Sequence, residues 1–112
     1  MVTHVVLMKP RADLSTDGRR AFVAAFERAT REIPSVVAVR VGRRVKHGAA
    51  YEAVAPDAAD YLAAIDFADL AGLQAYLQHP AHGELGVRFG EALSSAMVYD
   101  FEIGGARDLA GV

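Results

Sequence analysis

The segment Tyr76-Leu77-Gln78-His79-Pro80-Ala81-His82 carries the residue types best suited to chemistry in this chain. Proline disfavours helical geometry at the residue before it, so the chain must turn at His79. Pro80 then suits the first position of a new helix, which needs no amide hydrogen. His82 falls in the first turn of that helix, where the positive end of the helix dipole disfavours the imidazolium and leaves a neutral base near physiological pH. Tyr76 stands before the break, so phenol and imidazole can converge on one pocket. A structural role stays open beside this one: His79 suits a cap for the following helix, and His82 can serve the same junction. His4 lies in an apolar strand with Val2, Val6 and Met8 on its face, and a buried histidine needs a hydrogen-bond partner. Asp100 is the natural candidate if the first and last strands are neighbours. Such a pair serves a core as well as it serves a catalytic site.

Other chemistries find little support. Two histidines three apart around a proline, with no carboxylate or third histidine at ligand spacing, do not make a side-chain metal site. Gly42, Gly104 and Gly105 lack the strand-to-helix context of a phosphate loop, and no serine sits on a nucleophile elbow. His47 reads as solvated, and Phe22, Phe26 and Phe89 as core. Arg40, Arg43, Arg44 and Lys46 form a basic strand end that is either simply solvated or an anion or partner contact.

The elements that must position these residues follow from periodicity. Val2 to Met8 reads as a strand closed by Lys9-Pro10. Phe22, Ala25, Phe26, Ala29 and Ile33 fall at spacings of three and four, predicting an amphipathic helix over Thr16 to Ile33, with Ser15 or Thr16 as cap. Val36 to Val45 and Tyr61 to Phe67 alternate as second and third strands around a turn-rich connection, His47 to Asp57. Ala68 to Leu77 and Ala81 to Leu93 are helical, the latter weakened by Gly83, Gly86 and Gly90 at roughly 1 kcal/mol each. Ser95 to Ile103 is a fourth strand. The order β-α-β-β-α-β packs most simply as a four-stranded antiparallel sheet with helices on one face. The open face should then be polar, yet Met97, Tyr99, Phe101 and Ile103 share one side of the last strand, and Val5 and Leu7 one side of the first. Such a face predicts a homodimer whose sheets pack face to face.

Length and composition bound the answer. At 112 residues the chain has room for one domain, and 53% hydrophobic content is high for so short a chain, which favours a core shared with a partner. A net charge of −2 offers no basic excess for nucleic acid. With no cysteine, disulfides, thiolate chemistry and iron–sulfur clusters are excluded. No run approaches the roughly 20 apolar residues of a membrane span, and Met1 to Lys9 is more like a strand than a signal peptide, so the default expectation is cytoplasmic.

His4 in the opening strand, Glu32-Ile33-Pro34 ending the first helix, Val41-Gly42-Arg43, Ala75-Tyr76-Leu77 leading to His79-Pro80-Ala81-His82, and the closing Tyr99-Asp100-Phe101 together resemble the stress-responsive A/B barrel family. The likeness runs from about Thr3 to Ile103. It implies an α+β, ferredoxin-like fold assembled as a dimeric α+β barrel, with residues 1–103 as the domain and 104–112 as a loose tail. A plant member of the family is a cofactor-independent polyketide cyclase. Its site is similar to His82 as base, Tyr76 as partner, and His4 with Asp100 as the further pocket pair. Phe26 stands where that cyclase has a pocket tyrosine, so substrate recognition should differ. Val6 and His79 are expected to join Phe26 in lining the pocket. The reaction implied is an aldol-type condensation or isomerisation of a small carbonyl or aromatic compound, without cofactor. Some plant relatives hold a divalent cation on backbone carbonyls that would map onto Thr30, Ile33 and Val36. The alternatives are a non-enzymatic stress or interaction protein and, from the wider superfamily, a cofactor-free monooxygenase or a haem-using barrel.

Overall fold

Four strands and three α-helices follow in the predicted order in a computed structural model that describes residues 1–111: β1 Val2–Pro10, α1 Thr16–Glu32, β2 Val36–Arg43, β3 Tyr61–Phe67, α2 Leu70–Gln78, α3 Pro80–Ala92 and β4 Leu93–Glu102. All pairings are antiparallel and the sheet order is β2-β3-β1-β4. The fold is the expected α+β, ferredoxin-like one, with its helices on one side.

Local chemistry sets the boundaries. Ser15 Oγ accepts the Gly18 amide at 3.0 Å and starts α1, and Asp69 Oδ1 accepts the Gly72 amide at 2.9 Å and starts α2 two residues later than periodicity suggested. His79 is extended (φ −72°, ψ 141°), as Pro80 demands, and its Nδ1 accepts the Ala81 amide at 3.0 Å. One residue thus ends α2 and caps α3. β2 stops at Arg43, opposite the first residue of β3, rather than at Val45. β4 begins at Leu93 without a linker, because Pro10 and Leu93 already pair across a bulge. The segment expected as a loose tail carries an exposed 3-10 helix, Ala106–Gly111. In the connection after β2, Gly48 takes φ +88°, a backbone state that favours glycine.

The core lies between sheet and helices. His4, Val6 and Met8 of β1 and Ala63, Ile65 and Phe67 of β3 face α1, α2 and α3. Ala25 and Ala29 are small enough for α1 to approach closely, and Phe67 is fully buried. On the opposite side of the sheet Thr3 Oγ1 donates to Asp66 Oδ1 at 2.6 Å, with both residues buried. Around that pair the face is apolar: Tyr99 is 53% and Phe101 51% exposed. The molecule is a slab 46 × 39 × 17 Å with a radius of gyration of 15.4 Å, against about 13 Å for a compact domain of this length. Its accessible surface, 7481 Å², exceeds the roughly 5,900 Å² typical of a monomer of this mass.

The cap gives a direct test. Replacing His79→Ala should destabilise the protein by about 1 kcal/mol in urea unfolding, whereas His79→Asn, which keeps a capping acceptor, should lose only a fraction of that.

Candidate functional site

A cavity of about 230 Å³ lies between the centre of the sheet and the three helices. Strand alternation brings His4, Val6 and Met8 to it from β1 and Ala63 and Ile65 from β3. Phe26 comes from α1, Tyr76 from the last turns of α2, and His82 with Gly86 from α3. Six residues on one continuous helix turn about 240° net, which would put Tyr76 and His82 on different sides. The break at His79-Pro80 removes that separation. Their rings stand edge to face at 4.8 Å between centroids, and His4 approaches the other side of Tyr76 at 5.9 Å.

His4 is 5% exposed and lies directly opposite Asp100 in the β1–β4 register, with Nδ1 2.5 Å from Oδ1. An ionised carboxylate can only accept, so the proton in this contact belongs to Nδ1 and the ring is held in one orientation. Asp100 itself does not line the cavity. It acts on the site through His4, from an edge strand where its side chain is 42% exposed.

Burial pushes the Tyr76 phenol up to about 12, so at neutral pH it is a proton donor. Tyr76 is 1% exposed, and its hydroxyl has no hydrogen-bond partner among the described residues. The His82 imidazole is pulled below its ordinary value, first by burial, then by electrostatic repulsion from the neighbouring His4, with the Leu77 carbonyl opposing. Neutrality at His82 was expected from the helix dipole; desolvation leads instead. The site therefore sets a neutral base against a neutral acid in apolar walls.

One expected lining role and one expected core role need correction. His79 does not reach the cavity, because its Nδ1 is committed to the Ala81 amide. Phe89, assigned to the core from its spacing, lines the cavity with Leu77, Leu85 and Val98. Gly86 was also missed as a lining residue: it is exposed where it borders the cavity, and a Cβ built there meets nothing within 4 Å. Among the described residues no group of three or more His, Asp or Glu side chains is placed to hold a metal. Of the carbonyls considered for a cation, that of Ile33 accepts the Val36 amide at 3.2 Å.

No curated protein matches the sequence. Among solved structures, a protein of Arabidopsis thaliana superposes with a TM-score of 0.78 at 19% identity, over 95% of this chain and 98% of that one. Hydroxynitrile lyase from Passiflora edulis gives 0.77 at 18%, over 94% of each chain. A dimeric ferredoxin-like protein of unknown function from Thermobifida fusca gives 0.70 at 18%, over 91% and 90%. At these identities the likeness establishes the fold. The sequence model of the Stress responsive A/B Barrel Domain matches residues 2–103, nearly the whole chain, and the protein therefore belongs to that family.

Proposed function

We propose that this chain is a homodimeric barrel whose cavity performs cofactor-independent acid–base chemistry on a small carbonyl compound, with His82 as base and Tyr76 as donor. The observation that carries the reading is the edge-to-face pair of His82 and Tyr76 in an apolar cavity, with ring centroids 4.8 Å apart. His82 removes a proton from the carbon beside the carbonyl, and the Tyr76 hydroxyl hydrogen-bonds the oxygen as it becomes an enolate. The enolate carbon then takes the proton back, giving exchange or isomerisation, or adds to a second carbonyl carbon in an aldol step. His4, fixed by Asp100, buttresses Tyr76. An apolar cavity of about 150 Å³ accommodates benzene. By that measure 230 Å³ takes an aromatic ring with a short carbonyl substituent, smaller than an extended poly-β-keto chain. The likeness to a hydroxynitrile lyase supports a lyase-type reading.

The dimer rests on the open sheet face. Leu62, Tyr99 and Phe101 are exposed there beside Val5, Leu7 and Met97, and the surface excess noted above is of the size that a face-to-face partner covers. Dimeric relatives of the same fold support it. A second reading, a non-enzymatic stress or interaction protein, is favoured by the membership of Tyr76 in the buried cluster with Phe67 and Leu73.

Acetophenone, of the size the cavity takes, separates the two. In heavy water the protein should catalyse deuterium exchange into its methyl group. His82→Ala should lower that rate by about 10² or more and Tyr76→Phe by about 10². Unchanged exchange in both variants, or none in the parent protein, would leave the packing role alone. Gly86→Leu should fill the cavity, abolish acetophenone binding in calorimetry and leave the fold intact.

The pH dependence has a defined sign. Above the unfolded pKa of about 6.5 His82 is neutral in both states and contributes nothing. As pH falls below it, the unfolded chain binds a proton that the folded ring resists, so stability declines toward the lower, folded pKa. NMR should find the His82 ring uncharged at pH 7, with exchange activity rising through a pKa below 6.5 to a neutral plateau. A ring protonated at pH 7 contradicts the base assignment. Replacing His82→Gln should remove its part of the acid destabilisation.

A further inference from the structure

A second apolar cavity, about 350 Å³, lies between α1 and the far end of the sheet, walled by Phe22, Val23, Phe26, Met8, Val41 and Leu93. It runs into a polar pocket whose lining holds five cationic side chains and one carboxylate, Asp60. Pro10, Arg19 and Tyr61 line both. Of the cations, Arg11 is bound to Asp13 and Arg44 to Asp57, and Asp57 also faces Lys9 and Lys46. Asp60 lies 4.0 Å from Lys9. Glu27, at the edge of the apolar part, is bound to Arg31. Arg19 and Arg43 have no carboxylate within ion-pair distance among the described residues.

An apolar groove that ends at two uncompensated guanidinium groups is complementary to one ligand chemistry. We propose that this groove binds a free medium-chain carboxylate, its chain against Phe22, Val23 and Val41 and its acid group at Arg19 and Arg43. A bidentate guanidinium-carboxylate contact gives the head group direction as well as energy. Its volume corresponds to roughly ten to fourteen non-hydrogen atoms by the benzene measure, enough for an eight- to ten-carbon acid. A neutral alcohol of the same length would gain the apolar contacts alone. The groove shares Met8 and Phe26 with the His82 cavity but contains neither His82 nor Tyr76, so the proposal stands or falls independently of the acid–base reading.

The test titrates the full-length protein with octanoate and, separately, with octan-1-ol, following methyl NMR signals and calorimetry. Octanoate should shift Val23, Val41 and Leu93. The double variant Arg19→Gln, Arg43→Gln should weaken octanoate about tenfold, flatten its salt dependence and leave octan-1-ol unchanged. Val23 is 45% exposed, so Val23→Trp should block the groove to both ligands without disturbing the core. Three results overturn the proposal: no saturable binding at millimolar octanoate, shifts confined to Ile65, Leu85 and Val98 around the other cavity, or equal loss of both ligands in the arginine variant.

Discussion

The site depends on one ring. The Pro80 pyrrolidine clashes with helical geometry at the residue before it and forces His79 into an extended conformation, so what would be one long helix becomes two. That break brings the Tyr76 phenol and the His82 ring edge to face. It also exposes the first amides of α3, and the His79 side chain satisfies one of them. Proline and histidine at this junction are therefore a single device: the first makes the turn, and the second keeps the new helix from fraying where His82 is carried.

One helical layer cannot cover four strands and both of their faces. The helices lie over β1 and β3, so the buried side chains Val6, Met8, Ala63, Ile65 and Phe67 all come from these two central strands. β4, at the sheet edge, keeps Val98 and Asp100 exposed on the helical side. This uneven cover has a chemical consequence. The Asp100 side chain stays partly open to solvent, while the imidazole it orients is buried beside Tyr76. On the other face the same shortage of cover leaves Tyr99 and Phe101 bare around the buried Thr3–Asp66 pair.

Much of this was legible in the sequence because it follows from periodicity. The alternation that put His4 with Val6 and Met8 gives the cavity floor, and pairing first with last strand gives the His4–Asp100 contact. Helix ends were less legible, since Ala68 fits the helical spacing but Asp69 captures the Gly72 amide and starts α2 after itself. His79 could not be divided between cap and pocket without knowing which amide its ring reaches. The neutral His82 was anticipated from the helix dipole rather than from burial, because burial depends on how sheet and helices close around the ring, and no local pattern states how closely they do. Phe89 looked like core for the same reason: spacing marks an inward face and is silent about whether that face meets atoms or space.

That last distinction is sharpest along α3. Gly83, Gly86 and Gly90 each disfavour the helix by roughly 1 kcal/mol relative to alanine, a large sum for thirteen residues. The His79 cap and Pro80 at the first position offset part of it. The remainder must come from burial of Ala81, Leu85 and Ala92, since the Arg28–Glu84 bridge to α1 is exposed and contributes little. α3 is thus held by its contacts rather than by its own propensity. Where Gly86 faces the cavity, no neighbour within 4 Å fills the gap, and the packing of Leu85 on one side and Phe22 against Phe89 on the other keeps the helix from collapsing into it. The helix that carries His82 is also the least self-sufficient wall of the cavity, and so the one whose small displacements most readily change the volume beside Tyr76.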